Sequence, residues 1–247
     1  DHSTRAALAG DYDLATGNPP FSTRVVNAPE HRDRRGFSLH DWFIARALTA
    51  LRPGGFAAFV ASRHTLDKSE TKARARMAED AHLLGAVRLP AGTMRADAGT
   101  EVVLDVLVFR KRAIGELPGD QSWLETGVVP ESDEGDGPLR VNRYFLDNPA
   151  QVLGTHGWGS SQFGREYSCL PVPDLSLEEA LPEALGRIAH ERRFTAPVEQ
   201  RIIRPDADAP RVGTASSRAD LKEASPYLHN RLLHKITAGA AHVMPLR

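Results

Sequence analysis

The tetrapeptide Asn18-Pro19-Pro20-Phe21 constrains this chain more than any other feature. It follows Tyr12-Asp13-Leu14-Ala15-Thr16-Gly17, a short run that reads as a strand ending in a turn. Two consecutive prolines fix φ near about −65° twice and remove two backbone donors. They also hold Asn18 toward an extended conformation. The result is a stiff loop with free carbonyls, an amide side chain at its front and an aromatic ring at its back. Such a loop can grip a planar group that carries an NH2. The amino hydrogens would point at the Asn18 side-chain oxygen and the Pro19 carbonyl, and the Phe21 ring would lie on the flat face. The same four residues also suit a proline-rich surface turn after an edge strand, so the downstream sequence decides.

Residues 37–51 read as a helix, with Ser38 at the N-cap and Asp41 as an acidic first-turn partner. Leu39, Trp42, Phe43, Ala47, Leu48 and Leu51 give it an apolar face at helical spacing. Arg52-Pro53-Gly54-Gly55 is expected to stop the helix and turn the chain. Residues 56–61 form a continuous apolar run, as in a strand buried on both faces. Residues 67–82 are charged and helix-prone. Residues 83–90 and the β-branched stretch 101–112 read as further strands.

The order strand, Asn-Pro-Pro-Phe, helix, Leu-x-Pro-Gly-Gly turn, strand, helix, strand, loop, strand resembles the second half of a class I methyltransferase domain. The tetrapeptide itself looks like motif IV of the N6-adenine DNA methylases. The stretch from Leu89-Pro90 through Ala98-Gly99-Thr100-Glu101 to Val108-Phe109-Arg110-Lys111 is similar to two groups. One is the modification subunits of type I restriction systems. The other is the large phage and plasmid proteins that join an adenine methylase to a helicase, some of them antirestriction proteins. The resemblance covers about residues 11–112 and extends more weakly to about residue 190. It implies an α/β fold: the second half of a Rossmann-like, S-adenosylmethionine-dependent sheet, whose last strand is antiparallel and inserted between neighbours. A mixed, partly irregular C-terminal region would follow. It also implies roles for Asn18, Pro19, Pro20 and Phe21. Asn18 and the Pro19 carbonyl would accept hydrogen bonds from the exocyclic amine of a flipped-out adenine, and Phe21 would stack on the base. Positioning and electrostatics would then supply most of the rate.

In that fold S-adenosylmethionine lies on the first three strands, with a glycine-rich loop after strand one and an acid at the end of strand two. Only eleven residues precede the strand before Asn18, and none forms a Gly-x-Gly loop. Gly154, Gly157, Gly159 and Gly164 supply no strand–loop–helix either. The chain is therefore expected to be a fragment lacking the main cofactor-binding half, completed by an upstream methyltransferase half or joined to a helicase domain. No apolar run approaches a membrane span and no secretory signal opens the chain, so no membrane partner and a cytoplasmic setting, in a bacterial or phage-infected cell, are expected. The single cysteine, Cys169, excludes an internal disulfide and reads as a buried small hydrophobe. His31, His40, His64 and His82 lack ligand spacing, so no metal site is read.

Net charge is −1, so bulk charge does not advertise nucleic acid. Basic residues are nevertheless clustered. Arg32, Arg34 and Arg35, in the loop after Phe21, are candidate phosphate contacts on DNA, or else a solvated loop. Lys68, Lys72, Arg74 and Arg76 read as a solvated helix face, and Arg110-Lys111-Arg112 closes a strand. The organisation expected is a partial catalytic domain over 1–112, a linker or loop over 113–140, a small accessory region over 141–194 and a flexible tail over 195–247. In the accessory region Tyr144 and Phe145 are expected to pack onto the domain, and residues 175–189 form an amphipathic helix despite Pro182. Two alternatives remain open: a protein glutamine methylase, which uses a similar Asn-Pro-Pro-Tyr loop, and a non-catalytic domain kept for nucleic-acid or protein contacts.

Overall fold

The computed structural model describes residues 10, 12–21, 25, 34–94, 102–130, 132, 137–161 and 164–191, all within the compact unit Ala7–Phe194. Its main sheet has four strands: β1 (Tyr12–Gly17), β2 (Leu51–Ser62), β3 (Ala81–Arg88) and β4 (Leu104–Lys111), in the order β1-β2-β4-β3. β1 and β2 run parallel, and β4 is antiparallel to both of its neighbours. The last strand in sequence is thus inserted between β2 and β3, as anticipated. β1 is terminal, and its outer edge is unpaired among the described residues.

The expected turn at Arg52-Pro53-Gly54-Gly55 exists, but inside β2 rather than before it. Tyr12 pairs with Leu51 and Leu14 pairs with Phe56, so two residues of advance on β1 face five on β2. The extra residues loop out. Gly54 sits at φ +79°, and a Cβ on Gly55 would lie 3.0 Å from the carbonyl oxygens of Arg52 and Asp13. Only glycine fits both positions without strain. Arg52 and Asp13 form an ion pair across the bulge.

Alternation along β2 sends Ala57, Phe59 and Ala61 to one face and Val60 to the other. The first face packs under helices α1 (Leu39–Ala50) and α3 (Lys72–Asp80) through Trp42, Leu48 and Met77, all nearly fully buried. Between them lies the short α2 (His64–Asp67). The helix expected over 67–82 is therefore broken and displaced. Lys68 turns extended at the end of α2, and Ala81 and His82 leave the helix to pair with Lys111 and Arg110 in the sheet. Sheet pairing outweighs the helix propensity of that charged stretch. Ser38 occupies the N-cap of α1, but its hydroxyl donates to Asp41 Oδ2 at 2.6 Å instead of capping the backbone.

Segment 113–140 is more than a connector. It carries a 3-10 turn, Ser122–Leu124, whose Trp123 is buried edge-on against Phe109, and the strand β5 (Thr126–Val128). β5 pairs with β6 (Arg140–Asn142), which leads into α4 (Arg143–Asp147). Tyr144 and Phe145 enter the first core cluster. A hairpin, β7 (Thr155–Ser161) and β8 (Gly164–Leu170), follows, then α5 (Leu177–Glu191). α5 brings Ala184 and Ile188 to the second face of the sheet. Gly85 permits that approach, since a Cβ there would meet Ile188 at 2.7 Å and the Tyr144 hydroxyl at 2.8 Å. The tail over 195–247 lies outside the described residues.

Candidate functional site

β1, β2 and β3 point the same way, and their carboxyl ends share one edge of the sheet, the edge where open α/β sheets bind ligands. Asn18 follows directly on β1, whose last residue, Gly17, is in register with Phe59. In the loop Pro19 is buried, Pro20 is exposed, and Asn18 and Phe21 are half-buried. Asn18 Oδ1 is buried without a hydrogen-bond partner among the described residues. An amide oxygen has room for two hydrogen bonds, and leaving one buried and unmet costs about 1–3 kcal/mol. The loop thus holds a desolvated acceptor at the carboxyl edge of the sheet. Phe21 packs against the second core cluster, which includes Ala184 and Ile188 of α5, so the fold fixes its ring position.

The three arginines after the loop do not act alike. Arg32 lies outside the described residues. Arg34 is only 4% exposed and donates to Thr49 Oγ1 at 2.7 Å, so it serves the interior and is not a surface phosphate contact. Arg35 is exposed, and its carbonyl accepts from Lys72 Nζ at 2.8 Å. The expected solvated face over Lys68, Lys72, Arg74 and Arg76 also needs correction. Arg74 is buried and donates to the Leu124 carbonyl at 2.9 Å, and burial lowers its pKa. Lys68 reaches Asp41 at 2.7 Å, and Arg76 reaches Asp80 at 2.6 Å. Lys111 donates to Asp80 at 2.6 Å. Arg110 pairs with Glu116, and that hydrogen bond holds the Glu116 carboxyl at about 2. An open groove of about 380 Å³ beside Asp80, Lys111, Arg112 and Glu116 lies at the opposite end of β3 from the carboxyl edge. Among the described residues no cluster of His, Cys, Asp and Glu is arranged to hold a metal ion.

A second group at the carboxyl edge escaped the sequence reading. Arg88, at the end of β3, is fully buried. Its Nε and Nη2 donate to the two oxygens of Asp105 on β4 at 2.8 and 2.9 Å, and Nη2 also reaches Asp67 at 3.0 Å. The guanidinium lies 4.2 Å from the Phe145 ring centre and 5.1 Å from that of Tyr167. Burial opposes charge on the arginine, but the two carboxylates outweigh it and hold its pKa well above the ordinary value. Burial likewise pushes the Asp105 carboxyl up while the guanidinium pulls it down, and the bidentate geometry favours the ionised pair. Asp67 also accepts from the Asn142 backbone at 2.8 Å. Arg88 and its acids thus tie β6, α4 and the hairpin to the sheet. The available signal was Arg88 and Asp105 at the ends of two largely apolar strands.

No family model matches this chain. Over 105 residues it is 34% identical to "Defense against restriction protein B" of Escherichia phage P1, a match covering 40% of this chain and 4% of that protein. The chain therefore spans a small part of its curated relative's length. Among solved structures, a modification subunit of a proposed type I restriction enzyme from Vibrio vulnificus YJ016 is 18% identical, covering 67% of this chain and 39% of that one, with a TM-score of 0.37. The type I restriction enzyme EcoKI M protein is 16% identical, covering 73% and 48%, with a TM-score of 0.36.

Proposed function

We propose that this chain is the target-base part of an S-adenosylmethionine-dependent DNA adenine-N6 methyltransferase, working in a restriction-modification or antirestriction setting. The observation that carries the reading is the buried, unmet Asn18 Oδ1 at the carboxyl edge of the sheet. It suits a partner that arrives with an NH2, as a flipped adenine does. Asn18 Oδ1 and the Pro19 carbonyl accept from that amine and orient its lone pair. Pro19 and Pro20 keep the acceptors from relaxing away. The Phe21 ring, set by its packing on the second cluster, borders the base. Arg35 remains as a candidate phosphate contact.

No S-adenosylmethionine site is expected from the described residues: they contain no glycine-rich strand–loop–helix, and the buried acids near the carboxyl edge are engaged, Asp41 by Lys68 and Asp67 and Asp105 by Arg88. The free edge of β1 is where further strands would pair. Tyr12 and Leu14 beside it are 55% and 59% exposed, and Phe56, paired with Leu14, is 40% exposed. An open edge flanked by apolar side chains is a ready template for another strand.

The test joins this chain to a cofactor-binding methyltransferase half and assays it with labelled cofactor on DNA and on protein. Asn18→Ala should lower the rate on adenine-containing DNA by roughly 10²-fold or more, the scale of one preorganised polar contact at a reacting centre. Its DNA affinity should change little, because phosphate contacts dominate affinity. Phe21→Ala should weaken base capture by about 1–3 kcal/mol. Undiminished turnover in Asn18→Ala would make the loop structural, and transfer to protein alone would favour a glutamine methylase.

A further inference from the structure

The hairpin β7–β8 is held at the same carboxyl edge as Asn18. The Ala91 amide donates to the Cys169 carbonyl at 2.7 Å, and the Leu153 amide to the Arg88 carbonyl at 2.9 Å. Arg63, the residue after β2, lies 3.6 Å from Glu166 and stacks 5.2 Å from the Tyr167 ring centre. Cross-strand pairs His156–Cys169, Trp158–Tyr167 and Ser160–Arg165 alternate with pairs that face the other way. Cys169 and Tyr167 are buried, so these pairs make the inner face of the ribbon. That face runs outward from the core. Tyr167 is 7% exposed, Trp158 is half-buried and Arg165 is exposed. The Arg165 guanidinium stands 5.9 Å from the Trp158 ring centre, and Trp158 Nε1 is buried with no partner among the described residues. β2 runs three residues past the register partner of Gly17, which puts Arg63 roughly 10 Å further along the edge than the start of the Asn18 loop.

We propose that the inner face of the β7–β8 ribbon, Trp158 with Arg165 and Arg63 beside it, is a stacking site for an unpaired base of single-stranded or opened DNA. This rests on the reading of Asn18 as the contact to a flipped base, and places the ribbon on neighbouring nucleotides. A planar indole next to a guanidinium suits the π-face of any base. The unmet indole N–H adds a donor for a base carbonyl or ring nitrogen. Stacking of this kind is broadly tolerant of sequence, because every base has a π-face.

The chain supplies its own reporter. Of its three tryptophans, Trp42 and Trp123 are 1% and 2% exposed, so quenching by a bound strand reads Trp158. The probe is a fluorescein-labelled oligothymidylate of about 16 nucleotides, the upper site size for one small single-strand-binding fold. Wild-type chain should bind it with a rise in anisotropy and a fall in tryptophan emission, both weakening as salt rises. Trp158→Ala should lose roughly tenfold in affinity and all of the quench. Arg165→Glu, at an exposed position, should lose affinity severalfold while keeping the fold. Near-ultraviolet circular dichroism from Trp42 and Trp123 checks that each variant is folded. Equal affinity in folded Trp158→Ala and Arg165→Glu overturns the ribbon site and leaves the Asn18 reading intact. Absence of oligonucleotide binding by every form overturns it as well. Ribbon-dependent binding by a chain that, once joined to a cofactor-binding half, methylates no DNA supports the ribbon and sinks the Asn18 reading instead.

Discussion

Replacing Arg88 by methionine keeps most of the side-chain volume and removes the charge that two buried acids depend on. Asp105 and Asp67 have side chains 0% and 2% exposed, and Arg88 is hydrogen-bonded to both. Without it Asp105 loses both of its charge-assisted hydrogen bonds, and Asp67 keeps only Arg63 at 3.7 Å and the Asn142 amide. Breaking a buried ion pair from one side costs about 3–5 kcal/mol, a large share of a typical stability of about 5–15 kcal/mol. With an m value of about 2 kcal/mol/M, the urea midpoint followed by tryptophan emission should fall by about 1.5–2.5 M. The deficit should also depend on pH with a definite sign. In the variant the Asp105 carboxyl is buried without a cation, so its folded pKa lies above the unfolded value of about 3.9. The folded state then holds a proton that the unfolded state releases, so the deficit grows as pH rises above about 4 and shrinks below it. Adding Asp105→Leu removes the stranded charge and should recover at least about 1 kcal/mol. A loss under about 1 kcal/mol, a deficit equal at pH about 4 and about 7, or a double variant no better than the single one would refute the counter-ion role of Arg88.

Three further outcomes are expected. Calorimetry of the chain alone with S-adenosylmethionine should show no site tighter than about 10 μM, near −7 kcal/mol; a tighter one would mean that a cofactor site lies elsewhere in the chain. Glu116 has its carboxyl held at about 2 against an ordinary 4.5, first by its hydrogen bond to Arg110, so its contribution is present above about 4.5 and is lost as pH falls toward 2. Glu116→Gln should accordingly flatten the acid limb of the urea midpoint in that window, and an unchanged limb would show that other acids set it. Gly85→Ala forces a methyl against Ile188 and the Tyr144 hydroxyl and should cost about 1–3 kcal/mol in thermal unfolding; a neutral result would show that α5 shifts freely on the sheet.

The sequence made the strands legible where local pattern and long-range demand agree. Residues 56–61 are a continuous apolar run and do form a strand, but only the face of Ala57, Phe59 and Ala61 is fully buried; on the other face Phe56 is 40% exposed and Val60 is partly covered by the cluster that includes α5. It misled where a distant partner decides. The stretch 67–82 has the composition of one helix, yet it ends at Asp80 because Ala81 and His82 find partners on β4, some thirty residues away. Trp123 sits among the prolines, glycines and acids of a segment that reads as a linker, and only the presence of Phe109 beneath it makes it core. The arginines teach the same lesson more sharply. Arg34, Arg35, Arg74 and Arg88 look alike in the sequence. Arg34 and Arg74 turn inward because Thr49 and the Leu124 carbonyl, 15 and 50 residues away, accept from them, while Arg35 stays outside. Arg88 was passed over as well, although a buried charge within a strand needs a partner and Asp105 stands in register with it across the ladder.

Asn18 is the converse case. Two following prolines fixed its placement at the end of β1 without help from any distant residue, so its position was legible from the sequence. The sequence also marked its side chain as a candidate acceptor, and the fold adds that this acceptor is buried and unmet among the described residues. Arg34 finds its acceptor within the fold and is thereby part of the interior; Asn18 Oδ1 is buried at the carboxyl edge of the sheet and among the described residues meets no donor. A buried acceptor left open costs stability unless something outside the loop completes it. The Pro-Pro backbone that follows fixes the course of the loop, so the place of that residue at the end of β1 is set locally while the partner of its oxygen is not.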